Sequence, residues 1–193
     1  HWDISNQDFD DILRWIECVR VGRPVANTRL VPCKTPLDGP MAEAALREEL
    51  IGEDERFDKK DLVARCREQG TPVGLVIDLV NTSKYYEGFD EKDGVEYQKL
   101  ALRGHVVPPQ WLLEQAFTSI DDFMARRPSE YVVVHCTHGV NRTGFFIAAY
   151  LLTRGHQRYA ADAIKDFQEA RGERIDKTNL IRALHRLEVK GWY

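Results

Sequence analysis

Val132-Val133-Val134-His135-Cys136-Thr137-His138-Gly139-Val140-Asn141-Arg142-Thr143-Gly144 decides how this chain is read. A β-branched run ends in His-Cys, a short polar loop with one glycine follows, and Arg-Thr-Gly opens an apolar segment of helical pattern. The stretch therefore places a thiol at the junction of a strand and a helix. Successive backbone N–H groups of such a loop face one point, and the helix N-terminus adds partial positive charge there. The same geometry lowers the pKa of Cys136 and holds a phosphate above its sulfur. A free thiol titrates near ~8.5, and a helix N-terminus with a cation brings it to roughly 4–7. Arg142 supplies that cation as a planar fork matched to two phosphoryl oxygens. The competing reading is a buried core cysteine, the commoner fate of an isolated Cys; it leaves Arg142-Thr143-Gly144 unexplained.

Working outward, nearly continuous apolar or β-branched runs predict buried strands at residues 74–80 and 131–135, with further strands at 28–34 and 95–100. Helices are expected over residues 59–69 (closed by Gly70), from Pro108 or Pro109 to Pro128, and over 142–153, 159–170 and 177–189. Residues 1–21 read as a short helix or packed lead-in. Residues 38–57, rich in Gly, Pro and acids, read as the likeliest variable insertion. Strands alternating with helices indicate an α/β fold with a central, mostly parallel sheet flanked by helices. Cys136 then sits at the carboxyl end of its strand, where ligands bind in open α/β sheets. At 193 residues the chain, residues 1–193, reads as one domain.

Composition narrows the function classes. With 43% hydrophobic and 30% charged residues the chain is ordinary for a globular protein, and no apolar run is long enough to span a membrane. A net charge of -4 argues against a protein that coats nucleic acid non-specifically. It leaves room for one phosphorylated end held in a locally basic pocket. The four cysteines (Cys18, Cys33, Cys66, Cys136) form no Cys-x-x-Cys pair and no zinc spacing. They fit a reducing, intracellular setting; the chain is further expected to be a monomer with no metal and no cofactor. The chain opens on His1 rather than Met, so its native ends are left open.

A thiolate beneath a cradled phosphoryl group attacks it in line to give a phosphocysteine, which water then hydrolyses. Arg142 and the loop amides bind the oxygens as charge spreads. Thr143 is placed to donate to the sulfur and ease its departure. His135 orders the loop in preference to exchanging protons. Gly139 permits a backbone turn, and Gly144 permits close helix–sheet approach. A phosphotyrosine ester would release a phenolate of pKa about 10, so a carboxylic acid should protonate it. Residues 101–108, where cysteine-dependent protein phosphatases keep that acid, hold no carboxylate, and Asp121 and Asp122 read as solvated. A phosphoanhydride needs no such acid, because its leaving group is itself a phosphate. The missing acid points to a di- or triphosphate.

His-Cys-Thr-His-Gly-Val-Asn-Arg-Thr-Gly closely resembles the signature of cysteine-dependent RNA 5′-phosphatases of the protein tyrosine phosphatase superfamily. That group includes the RNA triphosphatase domain of metazoan mRNA capping enzymes and the baculovirus enzyme. Thr137, His138, Gly139 and Asn141 carry the distinction from protein phosphatases in general. Arg14-Trp15, Lys34-Thr35-Pro36-Leu37, residues 77–86 and Gly104-His105 agree, and the similarity covers about residues 14–187. It implies a dual-specificity-phosphatase-like fold, nuclear location, and metal-independent hydrolysis of the γ-phosphate of 5′-triphosphate RNA, with the general-acid Asp lost. Residues 91–97 and Ile175-Asp176-Lys177 look more like the capping-enzyme branch. Ala170-Arg171-Gly172 and Val107-Pro108-Pro109 are closer to stand-alone phosphatases, which also remove the β-phosphate.

Lys34, Lys84, Arg103 and Lys177 are candidates for the β- and α-phosphates; the alternative is that each is a solvated surface cation. The resemblance favours the first reading for Lys34, Lys84 and Lys177 and leaves Arg103 even. Asp78 is read as structural or as orienting a Lys or Arg. Asn81 and Thr82 shape their loop, and Tyr85 either stacks on the first base or packs as a ring. Lys92-Asp93-Gly94 lacks the spacing of a nucleotidyl-transfer motif, so a guanylyltransferase belongs to a C-terminal domain or partner outside these residues. The competing functions are a protein dual-specificity or tyrosine phosphatase and a non-catalytic phosphate-binding module. A metal-dependent tunnel triphosphatase is disfavoured, since the one Glu-x-Glu (Glu53, Glu55) falls in an expected loop.

Overall fold

The computed structural model describes residues 3–191; positions 1, 2, 192 and 193, which belong to the expected single domain and lead-in, lie outside the described residues. Four strands, β1 (Leu30–Lys34), β2 (Val73–Asp78), β3 (Glu96–Lys99) and β4 (Tyr131–Cys136), form a sheet of order β1-β4-β2-β3. Every neighbouring pair is parallel. β2 and β4 lie in the middle and are covered on both faces, which explains their nearly unbroken apolar runs. β3 is an edge strand, and its Glu96 and Lys99 meet solvent accordingly.

Side-chain alternation along β4 divides the core. Val132 and Val134 face a cluster built from α4 (Gln110–Arg126), α5 (Asn141–Thr153), α6 (Ala160–Arg171) and α7 (Thr178–Lys190). Val133 faces the other cluster, with α1 (Asn6–Glu17), α2 (Gly39–Arg47) and α3 (Lys59–Glu68). α5 is buried on nearly every side from Thr143 to Leu151, so it carries no polar face. The lead-in is α1, capped by Ser5 and anchored by buried Ile12 and Trp15.

Three expectations change. Residues 38–57 are not a loose, surface segment: α2 buries Met41, Ala42, Ala44 and Ala45, and Ile51 and Phe57 are also buried. Asp38 caps α2 and Pro40 sits in its first turn; Glu43, Glu48 and Glu49 are on the solvent side. The acids that suggested a loop cap α2 (Asp38, Glu48), sit on its exposed face (Glu43) or form the short 3-10 turn Glu53–Glu55. Gly144 serves a close approach, but to Phe167 of α6 and to Ile175, each 2.7 Å from where a Cβ would stand, and not to the sheet. Asp121 is not merely solvated, because it accepts from Tyr150 Oη at 2.7 Å and Arg154 Nε at 2.9 Å; Asp122 is exposed. Among the described residues no helix is long and apolar enough to cross a membrane.

Candidate active site

β4 delivers Cys136 to the carboxyl edge of the sheet, and α5 begins five residues later at Asn141. The loop between them is held open by three outward-turned carbonyls. Thr35 N donates to Thr137 O at 3.1 Å. Arg171, fully buried at the end of α6, donates through Nε to Gly139 O (2.9 Å) and through one terminal nitrogen to His138 O (2.9 Å) and Val19 O (2.7 Å). With the carbonyls drawn outward, the loop amides turn inward. Gly139 has φ +73°, and a Cβ there would collide with the Cys33 carbonyl. Only glycine satisfies both conditions.

Cys136 is 3% exposed. Burial pushes its thiol up. The Arg142 guanidinium, the Thr143 hydroxyl and the amides of Thr143 and Gly139 pull it down further, and the net shift is downward. Thr143 Oγ1 donates to Sγ at 3.1 Å. Arg142 is aimed by two acceptors, the Leu102 carbonyl (3.1 Å) and Thr137 Oγ1 (3.2 Å). The other three cysteines, all free and buried, behave oppositely: burial raises Cys18 to about 11, Cys66 to about 12 and Cys33 well above its ordinary value. One thiol in four is set up as a nucleophile.

His135 is buried, with Nε2 2.7 Å from Tyr86 Oη and Nδ1 3.2 Å from the Cys136 carbonyl; burial lowers its pKa. It lies beneath the loop and outside the cup. Asp78, one strand over, accepts from Val80 N, Tyr97 Oη and Lys99 Nζ, and Lys99 in turn donates to the Thr82 carbonyl. His138 Nε2 is 2.9 Å from the Asp11 carbonyl and ties the loop to α1. Asn141 accepts from the amides of Asp176 and Lys177 and donates to the Asp176 carboxylate, which fixes the segment before α7 at the rim.

The resulting cup encloses about 240 Å³ over Cys136, with Thr137, His138, Val140 and Asn141 in its wall. Its wall gathers Arg14, Lys84, Arg142 and Lys177 with Asp11; Asp176 pairs with Arg14 (3.5 Å) and Lys177 (3.9 Å) from just outside, so a chain of net charge -4 presents a pocket whose lining is locally basic. Of the four outer cations proposed from sequence, Lys84 and Lys177 reach the cup. Lys84 is paired with Asp8 at 2.5 Å. Lys34 does not reach it: its Nζ donates to the Trp15 carbonyl (2.7 Å) and lies 3.8 Å over the Trp15 ring. It lines a separate pocket behind α1, where burial lowers it to about 8. Arg103 is exposed and outside the wall, although its neighbours Gly104 and His105 line it. Asn81 and Thr82 line the rim. Tyr85 is a packed ring, 4% exposed, with Oη donating to Asp11 at 3.4 Å.

Sequence reasoning assigned no role to Asp11, Arg14, His105 or Arg171. Asp11 and Arg14 lie three apart on α1, and the buried Ile12 and Trp15 repeat that step beside them. This gives them a shared face but not its destination. His105 stands at φ +65°, rare for a residue with a Cβ, and Asn179 Nδ2 holds its carbonyl at 2.7 Å. Among the described residues, no group of three or more His, Cys, Asp or Glu is placed to hold a metal ion.

A lowered thiol at the floor of an amide-lined cup, with an arginine fork at its edge, defines the class of cysteine-dependent phosphatases. Residues 58–190 match the family described as dual specificity phosphatase, catalytic domain, and the chain belongs to that family, within the protein tyrosine phosphatase superfamily. It is 32% identical over 174 residues to a tyrosine-protein phosphatase of Autographa californica nuclear polyhedrosis virus, covering 89% of this chain and 96% of that one. It is 37% identical to the mRNA-capping enzyme of Mus musculus over 90% of this chain, which spans 28% of that enzyme. A third relative is the RNA/RNP complex-1-interacting phosphatase of Rattus norvegicus, 35% identical over 92% of this chain and 53% of that one. The fold is shared with crystal structures of a kinase-associated phosphatase (TM-score 0.65, 14% identity, 90% of this chain and 96% of that one) and of Tk-PTP in its active form (0.62, 17%, 85% and 94%).

Proposed function

We propose that this phosphatase removes the γ-phosphate from 5′-triphosphate RNA through a phosphocysteine on Cys136. The observation that carries the reading is the charge of the cup. Four cations face it, while the loop opposite, residues 101–108, contributes Gly104 and His105 and no carboxylate. A polyphosphate leaving group asks for cations; a phenolate asks for an acid. In the first step Sγ attacks the γ-phosphorus, the bond to the β-bridging oxygen breaks, and the RNA leaves as a 5′-diphosphate. In the second, water attacks the phosphocysteine, phosphate departs with the water's proton, and the sulfur leaves as thiolate under the Thr143 hydroxyl. Arg142 and the amides follow the oxygens through both steps. Lys84 and Lys177 neutralise the β- and α-phosphates. No step draws on a metal, so activity in EDTA is expected.

The names of the capping-enzyme and RNA/RNP-interacting relatives support an RNA substrate and a nuclear setting. They also fit residues 1–193 being one catalytic domain, with guanylyl transfer left to a segment or partner beyond them. A second reading, a protein tyrosine phosphatase, draws on Asp11, the one carboxylate in the cup wall, and on the viral relative's name. Phosphate release from end-labelled triphosphate RNA, set against release from a phosphotyrosine peptide, separates the two. Faster turnover of the RNA is expected, and faster turnover of the peptide defeats the proposal. The extent of release, to diphosphate or onward to monophosphate, assigns the branch.

A further inference from the structure

We infer that the groove beside the cup, walled by Asp38, Pro40, Ser83, Tyr86, Glu87 and Gly88, seats the first nucleoside of the RNA. The inference rests on the reading of the cup as a triphosphate site and extends it to the rest of the substrate. At about 240 Å³ the cup is smaller than the roughly 300–1,000 Å³ typical of ligand pockets, so it takes the phosphates and leaves the nucleoside outside. A second pocket, about 630 Å³, adjoins it and shares Thr82 and Lys84 as a common wall. That volume suits a ribose and a base.

The chemistry of the groove differs from that of the cup in the way a nucleoside requires. Apart from Lys84 on the shared wall, its one lysine is already engaged: Lys59 pairs with Asp93 and donates to the Gly88 carbonyl. The carboxylates of Asp38 and Glu87 line it as well. Beyond Lys84 such a groove disfavours phosphates yet offers acceptors to ribose hydroxyls and base amino groups. Pro40 gives the base an apolar edge, and Gly39 beside it leaves open space where a Cβ would stand. Lys84, on the dividing wall, is the residue a strand passes as it leaves the cup. On this placement the first nucleoside lies toward the start of α2, on the far side of Lys84 from the cup.

Two experiments decide it. Triphosphorylated RNA carrying 4-thiouridine as its first nucleotide is bound to the Cys136→Ser protein, irradiated, and the cross-linked peptide identified. Attachment within residues 38–40 or 82–88 is expected, and attachment within 103–111 or 177–182 overturns the inference. Separately, Ser83→Trp, at an exposed position, fills the groove. The ratio of kcat/KM for triphosphorylated RNA to that for inorganic tripolyphosphate is expected to fall by about tenfold or more, mostly through KM. An unchanged ratio overturns the inference and leaves the proposed function standing. Wild-type protein that releases no phosphate from the RNA while hydrolysing a phosphotyrosine peptide removes both.

Discussion

Arg171 Nε donates to the Gly139 carbonyl at 2.9 Å, which makes a buried cation at the end of α6 the clamp on the phosphate loop. Its second bond, to His138 O, secures the next peptide, and its remaining terminal nitrogen is buried without a hydrogen-bond partner among the described residues. A guanidinium held by carbonyls both stabilises the loop and fixes the direction of its amides. Arg171→Met keeps the volume and strands those carbonyls. It is expected to cost about 2–4 kcal/mol in urea denaturation, with loss of phosphatase activity.

Thr143 makes a second prediction through pH. Folded-state ionisation of Cys136 is favoured by Arg142 and Thr143 despite burial, so kcat/KM should rise with pH through a depressed thiol pKa and then level off. Thr143→Ala removes a bond that favours the thiolate, which raises that pKa and moves the acid limb to higher pH. The same variant should accumulate phosphocysteine, because the departing sulfur loses its donor. A pH–rate profile with a rapid-quench burst reads both effects. An unmoved acid limb would contradict the assigned role.

The four cysteines offer a test of electrostatics that needs no substrate. At about pH 6, below the ordinary thiol value of ~8.5, iodoacetamide should label Cys136 and spare Cys18, Cys33 and Cys66, whose thiols burial pushes up. Peptide mapping after partial alkylation gives the ranking. Equal labelling of all four would show that the cup does not tune its sulfur.

Lys84 and Lys34 should now behave differently. Lys84→Ala removes a cation from the cup and is expected to raise KM for triphosphate RNA about tenfold, with a smaller effect on a monophosphate ester. Lys34→Met leaves the cup intact, so KM should hold within about twofold while the docking of α1 over Trp15 weakens. Steady-state kinetics on both substrates, with a melting curve for each variant, checks the pair.

These results show where local sequence was sufficient. The sheet and the helices around Cys136 were legible because their pattern is strong: unbroken apolar strands, Pro at a helix start, and Gly139 at a positive φ. The Cys-x5-Arg loop was legible because its chemistry is local. Lys34 misled because position along β1 does not say which way a long side chain turns; Trp15, nineteen residues earlier, draws it behind α1. Arg171 stood in a quoted motif without a role, and Asp11 was silent, for the same reason. Their partners lie 32 and 127 residues away in sequence, and only the packing of α6 and α1 brings them to the loop. The acids of residues 38–57 misled differently, since composition was read where the apolar spacing of Met41, Ala42, Ala44 and Ala45 should have been.

The phosphocysteine on Cys136 is open to direct detection. Triphosphate RNA labelled in its γ-phosphate is turned over briefly by the Thr143→Ala protein and quenched, and the protein is digested for mass spectrometry. Label is expected on the Cys136 sulfur and absent from Cys136→Ser. Release of labelled phosphate with no phosphorylated Cys136 at any time would contradict the phosphocysteine step.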